Sequence, residues 1–316
     1  MDQQTLTVGL CQMASVFLQK EASLQKVEEY VNKAAEQGCE LAVFGEALVP
    51  AYPFWVEWTE GARFNSDRQK DLYAKYLSEG VCIEKGDLNK LCQLAAQKNI
   101  AIYLGTMERP EGRGHHSLYC SLVYIDQQGI IQSVHRKLMP TYEERLVWST
   151  GDGNGLRVHP LGPFTVGGLN CWENWMPMPR TALYGMGENL HVAVWPGNVR
   201  NTVDITRFIA QESRSFVISV SGLMRKSDIP NDMPHHELWR EAAPEWMANG
   251  GSCIAAPDGS WIIEPQAEKE GVFVAKLDFL QILRERQNFD PSGHYSRPDV
   301  LHLEVNRDRQ EVLTYK

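Results

Sequence analysis

The stretch FTVGGLNCWENWMPMPRTALYGMGENLHVAVWPG, residues 164–197, decides the architecture of this chain. A β-branched and apolar run, 164–171, reads as a strand that ends on Cys171, and HVAVWPG, 191–197, reads as another. Between them MetProMetProArg starts a helix, because proline suits the first turn, where its missing N–H costs nothing. A strand, a helix and a strand in succession predict layered α/β structure. Taken alone, Cys171 is one more small buried hydrophobe, the commoner fate of a free cysteine.

Outward from that unit the pattern repeats. Strands are predicted over 6–13, 41–49, 100–107, 117–126, 130–138, 215–223, 252–259 and 271–278. Helical periods fill 18–38, where Leu24, Val27, Tyr30, Val31 and Ala34 share a stripe and Gly38 supplies the stop, and also 87–99 and 202–214. Hairpins without a helix are expected around QQG, joining Val123 to Val134, and around PDG, joining Cys253 to Ile262. Hairpins mixed with helical crossovers suggest two sheets packed face to face with helices outside them. No linker composition divides the chain, so residues 1–316 are expected to form one domain. The segment 225–251 has no clear period and is expected to be a lid, a subunit contact or a solvated insertion.

A net charge of −9 removes the positive footprint that nucleic-acid binding requires. The opening MDQQTLTVGL carries an acid where a secretory leader is basic, and no apolar run approaches the ~18 residues of a membrane span. A cytoplasmic location is the expectation. The 7 cysteines, odd in number and irregular in spacing, do not form a disulfide framework. Without a C-x-x-C pair, and with His115-His116 and His235-His236 far from any cysteine, they do not suggest a metal site. The glycine clusters 151–155 and 185–187 lack the spacing of a phosphate loop and read as turns.

Three strand ends carry chemistry. LAVFGE delivers Glu46, SVHRK delivers Lys137 and GGLNC delivers Cys171. Singly, these read as a capping acid, a strand-end lysine and a core thiol. Together they supply a nucleophile, a base to deprotonate it and a cation to favour thiolate and stabilise developing negative charge.

In that order and at those separations, FGEALVPAYPFW, HRKLMPTYEERLVW and LNCWENWMP resemble the carbon-nitrogen hydrolase (nitrilase) superfamily over nearly the whole chain. The resemblance implies a four-layer αββα sandwich that self-associates, with Glu46, Lys137 and Cys171 as a catalytic triad. It implies further that Glu144 in PTYEER orients substrate and water, and that Glu143 is a structural or surface acid. Trp172 directly after the cysteine, followed by GluAsn, looks like the nitrilase branch, as does the stretch 200–222. The expected reaction takes a small organic nitrile to acid and ammonia through a thioimidate and a thioester, with no cofactor and no metal. The Trp172 N–H is a further expected donor for developing charge.

Tyr52, Trp148, Trp172 and Trp195 adjoin these motifs and match pocket-lining positions of related nitrilases, so they are expected to bind an apolar or aromatic substrate. An amidase or a nitrile hydratase on the same triad is the alternative; an inactive scaffold has no chemical reason to keep all three groups. The chain ends at Lys316, soon after the strand at 271–278, which points to a dimer or small oligomer rather than a spiral. The resemblance places its interface at 176–187.

Overall fold

The computed structural model describes residues 4–112, 116–311 and 313; Asp2 and His115, which entered the expectations above, lie outside them. Its elements follow in chain order as β1 (Thr5–Gln12), α1 (Lys20–Glu36), β2 (Leu41–Phe44), α2 (Trp55–Trp58), α3 (Asp67–Ser78), α4 (Asn89–Lys98), β3 (Ala101–Glu108), β4 (Tyr119–Ile125) and β5 (Ile131–Arg136). The second half runs β6 (His159–Leu161), β7 (Phe164–Asn170), α5 (Pro177–Gly185), β8 (Leu190–Trp195), α6 (Val199–Ser213), β9 (Phe216–Ser221), β10 (Leu223–Arg225), α7 (His236–Ala242), β11 (Trp246–Ala255), β12 (Trp261–Ala267), β13 (Gly271–Asp278) and α8 (Leu280–Glu285).

Two mixed sheets result. One has the order β13-β1-β2-β3-β4-β5 and the other β10-β11-β9-β8-β7-β6, with β12 paired to β11. Strands β1, β2 and β3 are parallel, as are β7, β8 and β9, and helices make the crossovers. Strand parity sorts the side chains into layers. Leu6, Val8, Leu10, Leu41 and Val43 meet Phe164, Val166, Val192, Val194 and Ile218 between the sheets. On the outer face of the first sheet, Ala42, Phe44 and Ile102 receive the apolar stripe of α1 and Leu91 and Ala95 of α4. On that of the second, Ala193, Trp195 and Val217 receive Ile205 and Ile209 of α6. The result is the expected αββα arrangement, since a sheet apolar on both faces must bury both.

Both expected hairpins form: Val123 pairs with Val134, and in the second Ile254 pairs with Ile263, one residue further along each strand than the Cys253-to-Ile262 join, around a turn in which Gly259 takes φ 83°. The 151–155 cluster is a turn capped by Asp152, which accepts from Asn154 N–H at 3.1 Å. Asp152 also accepts from Arg309 at 2.9 Å and from the Gln310 N–H at 2.9 Å, so the last described stretch is strapped across this turn.

Three expectations need correction. Ladder pairing at 41–49 breaks after Phe44 and returns only as a single bridge from Val49 to Thr106, so Glu46 stands beyond its strand. Helix α6 starts at Val199 rather than 202, because Asn198 caps it by accepting the Arg200 N–H at 3.1 Å. The segment 225–251 is not the solvated insertion that is one of its expected readings: it holds α7 and the start of β11, and buries Ile229, Met233, Trp239 and Ala243. These anchors, spaced four, six and four apart, follow neither sequence period.

Candidate active site

Glu46, Lys137, Cys171 and Glu144 come from four separate segments and meet in one buried place, each at most 2% exposed. Glu46 follows β2 where parallel strands run out, a usual location for reactive groups in α/β sheets. Its backbone N–H donates to the Trp195 carbonyl at the end of β8, at 3.1 Å, tying the two sheets together beneath the carboxylate. Gly105 on β3 makes this approach feasible, since a Cβ there would sit 2.1 Å from the Gly45 carbonyl and 2.7 Å from Glu46 Cα.

Lys137 directly follows β5, and its Nζ donates to Glu46 Oε1 at 2.8 Å and to Glu144 Oε2 at 2.7 Å. Glu144 lies in a 3-10 turn over Tyr142–Leu146, where it accepts the Thr141 N–H at 2.6 Å and the Tyr52 hydroxyl at 2.7 Å. Cys171 opens a second 3-10 turn, Cys171–Trp175, with φ 47°. A non-glycine residue in that left-handed region is held there by its surroundings; here the Asn174 side chain donates to the Cys171 carbonyl at 2.8 Å. One ligand atom from each of Glu46, Glu144 and Cys171 lies within 4.8 Å of the others. Such a trio could ligate a cation, but the Lys137 ammonium already engages both carboxylates at hydrogen-bond distance.

The electrostatics follow from burial and mutual charge. Burial pushes the Glu46 carboxyl up to about 7, with Lys137 pulling it down and Glu144 pushing it further up. Burial likewise raises the Cys171 thiol well above its ordinary value, reinforced by the charges of Glu46 and Glu144; Lys137 and the Trp172 N–H oppose this without reversing it. Desolvation works against the Lys137 ammonium most strongly, yet Glu46, Cys171 and Glu144 together hold its pKa well above normal. Lys137 thus favours the thiolate, in the expected direction, without producing one at rest. Cys171 rests as a thiol, and its proton needs a base at the moment of attack.

The four aromatic candidates separate. Tyr52 hydrogen-bonds Glu144 and meets the buried Trp148 ring edge-on at 5.5 Å. Trp148 lies 5.8 Å from Lys137 Nζ and donates its indole N–H to Tyr76 at 3.1 Å. Trp195 is fully buried among Cys171 and the α6 residues, with its indole N–H donated to Ser219 at 3.3 Å; its backbone carbonyl is what reaches Glu46. Trp172 is 50% exposed and lies beside Trp175, at 6.3 Å between ring centroids. A separate cavity of about 380 Å³, lined by Trp55, Tyr73, Leu146 and Val147 among others, adjoins the Glu144 turn.

Two contributors were not recognisable beforehand. Glu173, met above only as a mark of the nitrilase branch, is a buried brace: it accepts from His135 Nε2 at 3.1 Å, the Leu138 N–H at 2.6 Å and the Asn170 N–H at 2.9 Å. It thereby links the residues flanking Lys137 to the residue before Cys171. The Cys120 thiol on β4 donates to Glu46 Oε1 at 3.4 Å. Alternation in 117–126 marks Cys120 as one strand residue among several, with nothing to connect it to Glu46.

Comparison with known proteins supplies an independent line. The carbon-nitrogen hydrolase family profile matches residues 7–284. A protein named Nitrilase 2, from an unknown prokaryotic organism, is 34% identical over 314 residues, covering 98% of this chain and 96% of its own. An aliphatic nitrilase of Rhodococcus rhodochrous is 32% identical over 320 residues, covering 98% of this chain and 81% of its own. Among solved structures, the carbon-nitrogen hydrolase from Helicobacter pylori G27 superposes with a TM-score of 0.71 at 16% identity, covering 93% of this chain and 96% of that one, which shows the shared fold.

Proposed function

The chain belongs to the carbon-nitrogen hydrolase family, and from that premise we propose that it is a nitrilase, converting an organic nitrile to the carboxylic acid and ammonia. The observation that carries the reading is the buried meeting of a thiol, two carboxylates and an ammonium: Cys171, Glu46, Glu144 and Lys137.

In this reading Cys171 Sγ attacks the nitrile carbon while Glu46 takes the thiol proton and passes it to the nitrile nitrogen, giving a thioimidate. Glu46 then removes a proton from water as it adds to that carbon, and Lys137 stabilises the charge of the tetrahedral species. Proton return to nitrogen releases ammonia and leaves a thioester. A second water, activated in the same way, releases the acid and restores the thiol; two waters are consumed per nitrile. Glu144, fixed by Tyr52 and Thr141, positions substrate and water. The raised Glu46 pKa supports the role of base, because a carboxyl near 7 is matched to proton transfer at neutral pH.

Tyr52, bonded to Glu144, and Trp148, 5.8 Å from Lys137 Nζ, stand beside this centre and favour an apolar or aromatic nitrile; Trp172 is assigned to its outer rim. Residues 1–316 are read as one domain and the chain as a cytoplasmic homo-oligomer. Seven free cysteines support the reducing compartment, and the exposed Met176 and Met178, flanked by the exposed Trp175 and by Phe208 beneath Arg180, support self-association through the 176–187 face. Among the described residues, no helix is long and apolar enough to cross a membrane. The test is a panel of aliphatic and aromatic nitriles with their matching amides, with acid, amide and ammonia quantified. Acid and ammonia from nitriles in equal amounts are expected, and turnover of the amides alone overturns the reading.

A further inference from the structure

The two oxygens of Glu46 are not equivalent. Oε1 accepts from Lys137 Nζ at 2.8 Å and from Cys120 Sγ at 3.4 Å, whereas Oε2 is buried and has no hydrogen-bond partner among the described residues. A buried carboxylate oxygen left unpartnered is costly, and such an atom calls for an explanation. Cys120 is itself fixed in place: it pairs with Met107 across β3 and β4, and its carbonyl accepts the Lys137 N–H at 2.7 Å. One backbone hydrogen bond thus delivers the thiol and the ammonium to the same oxygen. Burial and the nearby Glu46 charge keep Cys120 protonated, so it acts as a donor.

We propose that Cys120 is a positioning residue for the reaction: with Lys137 it saturates Glu46 Oε1 and thereby makes Oε2 the oxygen that takes the proton from Cys171 and from water. The inference deepens the nitrilase reading and rests on Glu46 being its base. A donor to the ionised carboxylate also favours that form, so Cys120, against the larger effect of burial, lowers the pH at which the base becomes available.

The test compares the pH dependence of kcat/KM on a nitrile for the full chain and its Cys120→Ala, Cys120→Val and Cys120→Ser variants. Loss of the donor in Cys120→Ala and Cys120→Val moves the acid limb up by about half a pH unit. Cys120→Ser, which keeps a donor, returns it towards the parent position. A packing role alone would lower stability in these variants and leave the limb in place. The pH dependence of iodoacetamide alkylation at Cys171, read by peptide mass, reports the same limb without turnover, and the valine variant keeps apolar volume should the alanine variant fail to fold. An unmoved limb in both donor-free variants overturns the inference, as does a serine limb displaced as far as theirs. Glu46→Gln separates this from the wider reading: a limb surviving that substitution removes Glu46 as the base, whereas its loss there alongside an unmoved limb in the Cys120 variants removes only the role given to Cys120.

Discussion

Lys137 and Glu46 form a 2.8 Å ion pair in which neither side chain is exposed, and the same ammonium holds Glu144 at 2.7 Å. Two carboxylates out of water need this cation, and breaking a buried pair by removing one partner is far more damaging than replacing the pair. Lys137→Met is expected to abolish turnover and to lower stability by ~3–5 kcal/mol, measured by urea denaturation at pH 8. Because the stranded carboxylates can take up protons, that deficit shrinks as pH falls. A variant as stable as the parent at pH 8 would contradict this.

The pH profile of kcat/KM should report Glu46. Its folded-state pKa, raised by burial to about 7, lies above the ordinary carboxylate value, and the base works only when ionised. Activity is therefore present above about 7 and lost as pH falls through it. A profile flat down to the usual carboxylate range near ~4.3 would contradict this assignment.

Glu173 touches no reacting group, yet it joins the flanks of Lys137 and Cys171. Glu173→Ala is expected to lower kcat by roughly 10–100-fold while KM changes far less, since small displacements of a catalytic group cost rate before they cost binding. Steady-state kinetics with a thermal melt provide the check, and a change confined to KM would show that Glu173 instead meets the substrate.

Trp172 and Trp195 should respond in opposite ways. Trp195→Ala empties a fully buried site beside Cys171 and should cost ~3–5 kcal/mol. Trp172→Ala, at a half-exposed position, should alter stability by less than about 0.5 kcal/mol and shift KM for bulky nitriles. Denaturation midpoints and a substrate series distinguish the two.

The contrast between these tryptophans shows what the sequence carries. Glu46, Lys137 and Cys171 are legible because each stands at the end of a predicted strand, and Glu144 because it sits in a motif beside Lys137. The αββα layering is legible from crossover helices mixed with hairpins. Which face Trp195 takes depends on parity along β8, where Val192 and Val194 meet the other sheet while Ala193 and Trp195 meet α6, and both faces are buried. Cys120 and Glu173 acquire their roles from which segments become neighbours in space, and no local spacing encodes that. Segment 225–251 hides a seven-residue helix too short to establish a period.

The central claim is that Cys171 forms a covalent bond to the nitrile carbon, and peptide mass spectrometry of enzyme acid-quenched during nitrile turnover tests it most directly. An adduct of thioimidate or thioester mass should appear on the peptide containing Cys171 and vanish, with activity, in Cys171→Ala, while Cys253→Ala retains both. Nitrile turnover by Cys171→Ala, or an adduct carried on another residue, would contradict the account.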